Sequence, residues 1–128
     1  MMLPPKGLAA YRSVEVQSRT PLELVVMLYD GALRFLASDR EAIERRDIRA
    51  RHEAFSRLLA IISELQSTLD IDGGGQVAVQ LDELYGFMNR RILASAMENS
   101  TAPLDEVKPL LEMLRDAWQQ ISLQPARS

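Results

Sequence analysis

TPLELVVMLYDGALRFL, residues 20–36, opens with a helix-start signal. Thr20 is an N-cap residue, Pro21 takes the first helical position, and Glu23 stands where a capping box needs it. Behind this start, Leu22, Val25, Val26, Tyr29, Ala32, Leu33 and Leu36 recur at i, i+3, i+4, i+7 spacing and form one apolar helical face. Leu24, Leu28 and Phe35 add a second face beside it, leaving Glu23, Asp30 and Arg34 as a narrow polar stripe. A helix that is apolar over most of its circumference must be covered from more than one side.

Working outward, the chain supplies three more amphipathic segments. The first helix continues past Arg40 and Ile43 to Glu44. A tight bend at Arg45 and Arg46 follows, and Asp47 caps the second helix, which runs to Leu69. Ile48, Phe55, Leu58, Leu59, Ile62, Leu65 and Leu69 line its main face, and Ile61 broadens it. The run LDIDGGGQ breaks the pattern, because consecutive glycines make helix expensive. A third helix from Gln76 to Met97 carries Val77, Leu81, Leu84, Tyr85, Met88, Ile92 and Ala96, with Phe87, Leu93 and Met97 outside that stripe. ENSTAP is a turn cluster. The fourth helix starts at Leu104 or Asp105 and carries Val107, Leu110, Leu111, Leu114, Trp118 and Ile121, with Pro109 at the edge of its first turn.

Four such segments with short connections and no strand alternation predict an all-α fold, an elongated antiparallel four-helix bundle. The first two helices should each be roughly 35 Å long. The domain reading is a flexible segment over residues 1–19, the bundle over 20–123 and a tail over 124–128. Residues 8–19 are too weakly patterned to hold a helix alone; they are a frayed terminus or a segment laying Tyr11 and Val14 onto the bundle.

Composition narrows the function. With no cysteine, a disulfide framework and thiolate chemistry are excluded. There is no signal-peptide core and no run long enough to span a membrane, so neither export of this chain nor membrane insertion is expected. A net charge of −3 argues against nucleic acid as partner.

Catalytic and metal chemistry find no residues. His52 is the single histidine, and Arg49 stands where a di-iron Glu-x-x-His motif needs its glutamate; a solvated or capping role suits it. Gly73–Gly75 lack the strand and Gly-Lys-Ser/Thr of a phosphate loop. Asp70 and Asp72 lack the later ligands of a calcium loop. No enzyme, cofactor or metal site is expected. At the first bend, Arg40, Arg45, Arg46, Arg49, Arg51 and Arg57 interleave with Glu41, Glu44, Asp47 and Glu53. An ion-paired, solvated helix end is the plain reading there, and an anionic partner the sharper one.

These residues carry a resemblance. TPLELVVMLYDGALRFL resembles the opening helix of the flagellar secretion chaperone FliS family, with its LYDGA-type motif. LDIDGGGQVAVQLDELYGFMNRRILASAMEN is similar to the family's GG-linked third helix, and EVKPLLEMLRDAWQQI to its closing helix, with Trp118 and Ile121 as the WxxI pair. The match runs from Tyr11 to Ile121. The chain departs from the family pattern at Arg46, where a glycine is common. It departs also at Ser95 and Ala96, where an alanine and then an asparagine are usual, and at Pro109.

The resemblance implies a cytoplasmic, non-enzymatic chaperone. It would bind the C-terminal segment of flagellin, with 1:1 stoichiometry, and help deliver it to the flagellar type III export gate. The expected groove residues are Leu24, Leu28, Tyr29, Ile61, Leu65, Leu81, Tyr85, Met88 and Ile92, with Tyr11 and Val14 as an N-terminal cap that covers the groove when the partner is absent. Ordinary core packing is the alternative for each and stays open for Tyr29, Leu65 and Leu81. Leu28 and Ile61, off the main stripes, fit a groove better. Two other readings use the same apolar arcs: a self-associating bundle, a homodimer when free, and an adaptor for another flagellar assembly factor.

Overall fold

A computed structural model describes residues 20–123. Four helices follow one another: α1 (Pro21–Arg45), α2 (Ile48–Ser67), α3 (Ile71–Glu98) and α4 (Ala102–Ser122). They form a ring in which α1 lies between α2 and α4, and α3 closes the ring on the opposite side. No strand occurs among the described residues. The calls on Tyr11 and Val14, on the segment 1–19 and on the tail 124–128 fall outside them.

The helix boundaries have local causes. Thr20 Oγ1 accepts from the Glu23 N–H at 3.2 Å while Glu23 Oε1 accepts from the Thr20 N–H at 3.0 Å, closing the capping box. Asp47 accepts from the Ala50 N–H at 3.1 Å and caps α2. At the end of α1, Arg46 takes a left-handed conformation, φ 59°, and its N–H closes onto the Ala42 and Ile43 carbonyls. Glycine would take that conformation freely, whereas an L side chain pays about 1 kcal/mol.

Two boundaries differ from the sequence reading. α3 begins at Ile71, because Asp70 caps a first turn by accepting from the Gly73 N–H at 2.8 Å; Gly75, at φ 62°, ψ −145°, then kinks the chain into the main helix. α4 begins at Ala102, with Pro103 in its first turn, so Pro109 lies well inside the helix rather than at its edge. Pro109 is exposed, and water can serve the carbonyl it leaves unbonded.

The core is one contiguous cluster. Tyr29, Ala32, Leu36 and Ile43 from α1 meet Leu58, Ile62 and Leu65 from α2, Tyr85, Met88 and Ile92 from α3, and Leu104, Val107 and Leu111 from α4. Polar ties hold the seams. Arg40 Nε reaches Asp105 at 2.8 Å and Arg115 Nε reaches Asp30 at 2.7 Å between α1 and α4, while Arg91 pairs with Glu106 at 2.5 Å between α3 and α4. Between α2 and α3, Gln66 Nε2 donates to Asp82 Oδ1 at 2.9 Å. Two of these pairs, Arg40–Asp105 and Arg91–Glu106, are exposed and the other two only half-buried, so the bundle owes its stability mainly to the apolar cluster.

Candidate partner-binding surface

The nine expected groove residues separate into two groups. Tyr29, Leu65, Tyr85, Met88 and Ile92 are buried in the core, each covered by the other helices of the same chain. In this arrangement each packs within the core cluster. Tyr29 and Tyr85 meet across the middle of the bundle in a buried hydroxyl–hydroxyl hydrogen bond. Burial pushes both phenols above their ordinary range, and the bond to Tyr85 adds to the rise at Tyr29, so both stay neutral.

Leu24, Leu28, Ile61 and Leu81 are half-buried. Leu24, Leu28, Gly31 and Phe35 stand at helical intervals on one face of α1. That face meets α2 closely: a methyl built on Gly31 would lie 3.2 Å from Ile61 Cδ1. One turn on, the Arg57 guanidinium lies over the Phe35 ring, 5.7 Å from its centre, and pairs with Glu53 at 3.4 Å. The α1–α2 seam therefore carries a shallow apolar stripe, with Leu28 and Ile61 in its wall and a cationic lid at Phe35. It suits an amphipathic helix that brings its own apolar anchors.

Further apolar surface lies elsewhere. Val77, Val79, Leu93 and Met97 of α3 and Met113 and Ile121 of α4 are exposed. The wide arc expected on α3 is present at Leu93 and Met97, while Phe87 is half-buried. Leu84, Leu110, Leu114 and Trp118 flank the core on the α3 and α4 side. Among the described residues no cluster of three His, Cys, Asp or Glu could hold a metal, and no helix is long and apolar enough to cross a membrane.

The bend is only half as the plain reading expected. Arg40, Arg45 and Arg57 have carboxylate partners, whereas Arg46, Arg49 and Arg51 form no salt bridge among the described residues. Below the bend lies a residue the sequence reading passed over. Asp39 is 1 % exposed, and neither of its carboxylate oxygens has a hydrogen-bond partner among the described residues. Burial pushes its carboxyl up to about 6, a rise that the charge of Arg51 partly opposes. A signal was available: Asp39 sits in phase between Leu36 and Ile43 on the core face.

Comparison with known proteins agrees with this architecture. The family model for flagellar protein FliS matches residues 5–125. The chain is 39 % identical over 121 residues to the flagellar secretion chaperone FliS of Salmonella typhimurium, covering 91 % of this chain and 90 % of that protein. It is 33 % identical over 121 residues to the flagellar secretion chaperone FliSB of Pseudomonas aeruginosa, covering 91 % and 96 %. With FliS of Bacillus subtilis the identity is 34 % over 111 residues, covering 87 % and 82 %.

Proposed function

The chain belongs to the flagellar protein FliS family, and from that membership we propose a cytoplasmic export chaperone for flagellin. It binds the disordered C-terminal segment of flagellin one to one, prevents premature polymerisation, and aids delivery to the flagellar type III export apparatus. The relatives carry a chaperone's name, not an enzyme's.

The observation that carries the reading is the half-buried stripe at Leu24, Leu28 and Ile61, apolar surface that the bundle's own helices leave partly open. A flagellin segment forming a helix there would bury it with anchors at i, i+3 and i+4 spacing, giving up part of the gross interaction energy to its own ordering. Leu28→Glu tests this. A carboxylate in a dry helix interface is costly, so flagellin affinity should fall by at least about tenfold while helicity stays near that of the parent. A variant that melts would place Leu28 in the core, and one that binds normally would move the interface elsewhere.

Self-association keeps one observation of its own, the exposed pair Leu93 and Met97 one turn apart on α3. Light scattering over a range of concentrations separates the readings, since a concentration-independent monomer removes this one.

A further inference from the structure

The end of the bundle away from the Leu28 stripe carries a second, differently built surface. From Leu28 to the end of α1 is roughly 25 Å at about 1.5 Å per residue. There, where α1 turns into α2 beside the end of α3, a cavity of about 440 Å³ opens. Its apolar lining is Ala42 and Ile43 from α1, Ala96 from α3 and Ile48 at the start of α2. Ile48 is 73 % exposed, and Met97, next to Ala96, is 87 % exposed. Ile48 is thus a large apolar side chain left in water at the edge of this hollow, and Met97 adds exposed apolar surface on the same end of α3.

The polar lining is Arg46, Arg51, Asn99 and Asp47, two cations against one carboxylate that is committed to the α2 N-terminus. Arg46 and Arg51 both border the cavity, and neither forms a salt bridge among the described residues. Arg51 donates instead to Asn99 Oδ1 at 2.5 Å, a neutral acceptor, and its charge acts on the buried Asp39 carboxyl only through space. The carboxylates nearby are mostly engaged. Glu44 pairs with Arg40, Glu41 with Arg45, and Asp47 caps α2; Asp39 lies buried on the core face, where Arg51 is its nearest counter-charge. The two non-glycine residues with positive φ among those described, Arg46 and Asn99, both border this cavity. Arginine in particular occupies a backbone position suited to glycine and borders the cavity.

We propose that this notch docks a short acidic segment of a second protein, an apolar side chain entering between Ile43, Ile48 and Ala96 and its neighbouring carboxylates pairing with Arg46 and Arg51. Charge complementarity selects this occupant. The chain's own lead, residues 1–19, carries Lys6, Arg12 and Arg19 against Glu15, and residues 124–128 add Arg127, so both bring the wrong sign. Guanidinium–carboxylate forks supply register, and the apolar hollow supplies burial. The notch lies beyond the last stripe residue, Phe35, towards the end of α1, so one bundle can hold a cargo helix and this segment together.

The probe is a synthetic peptide of alternating acidic and leucine residues, titrated into isotope-labelled protein and followed by backbone amide resonances, beside a version with every carboxylate replaced by carboxamide. The expected result is saturable shifts at residues 42–51 and 96–99 with the acidic peptide only. Arg46→Gly relieves the left-handed backbone instead of disturbing it, so it should fold at least as well as the parent and bind at least about tenfold more weakly. Ile48→Asp, at an exposed first helical position that tolerates an acid, should weaken binding equally. Equal shifts with the carboxamide version, shifts confined to the Leu28 stripe, unchanged affinity in both variants, or the same resonances moving with protein concentration alone would each overturn the proposal.

Discussion

Asp39→Asn should stabilise this protein at neutral pH and do little in acid. The residue is 1 % exposed with no hydrogen-bond partner for either oxygen among the described residues, and burial pushes its carboxyl from 3.8 up to about 6. The folded state therefore holds the proton across a window in which the unfolded state has released it. Stability is highest below the unfolded value, falls as pH rises through about 4 to 6, and stays low above. At about 1.4 kcal/mol per pH unit, the full difference is roughly 3 kcal/mol. Asparagine keeps the shape, removes the charge and inherits the same poor hydrogen-bonding surroundings, so a gain of about 2 kcal/mol is expected at neutral pH. Urea denaturation near pH 4 and near pH 7.5 measures it. The two proteins should be close at the acid pH and separated at the neutral one, with unchanged slopes in denaturant. Destabilisation by the same amount at both pH values would refute the reasoning, because it would mean the carboxylate makes bonds that asparagine cannot replace.

Two other substitutions probe the bundle. Tyr29→Phe or Tyr85→Phe alone strands a buried hydroxyl and should cost about 1–3 kcal/mol, whereas the double variant should cost less than the sum, a coupling that a denaturation cycle would show. Gly75→Ala meets no atom within 4 Å but forces a side chain into a glycine backbone conformation, so about 1–3 kcal/mol should be lost through strain alone, seen as early fraying of the Ile71 turn in hydrogen exchange.

How much was legible before the coordinates follows from what periodicity can say. The Thr20 capping box, the Asp47 cap, the break at the glycines and four apolar stripes are local, and each helix lies where its own residues put it. Spacing tells which face of a helix is apolar, but not whether the cover comes from the same chain or from a partner. Tyr29, Leu65 and Leu81 thus looked equally fit for core and groove; Tyr29 and Leu65 lie buried in the four-helix ring, and Leu81 is half-buried. Leu28 and Ile61 stood apart because they lie off the main stripes, and the close approach at Gly31 accounts for their half-buried state. Asp39 escaped notice because a carboxylate is read as solvent-facing even where its phase says otherwise. Arg46 could be recognised as a bend residue, yet its left-handed backbone and its place at a cavity mouth needed the turn of α1 into α2.

Calorimetric titration with a peptide of the last ~40 residues of the same organism's flagellin, long enough for two or three short helices at about 1.5 Å per residue, tests the central claim most directly. Chaperone function predicts saturable binding near one to one, with a clearly negative heat-capacity change as the apolar stripe is buried. Flat heats at two temperatures, with the protein shown to be folded, would contradict it.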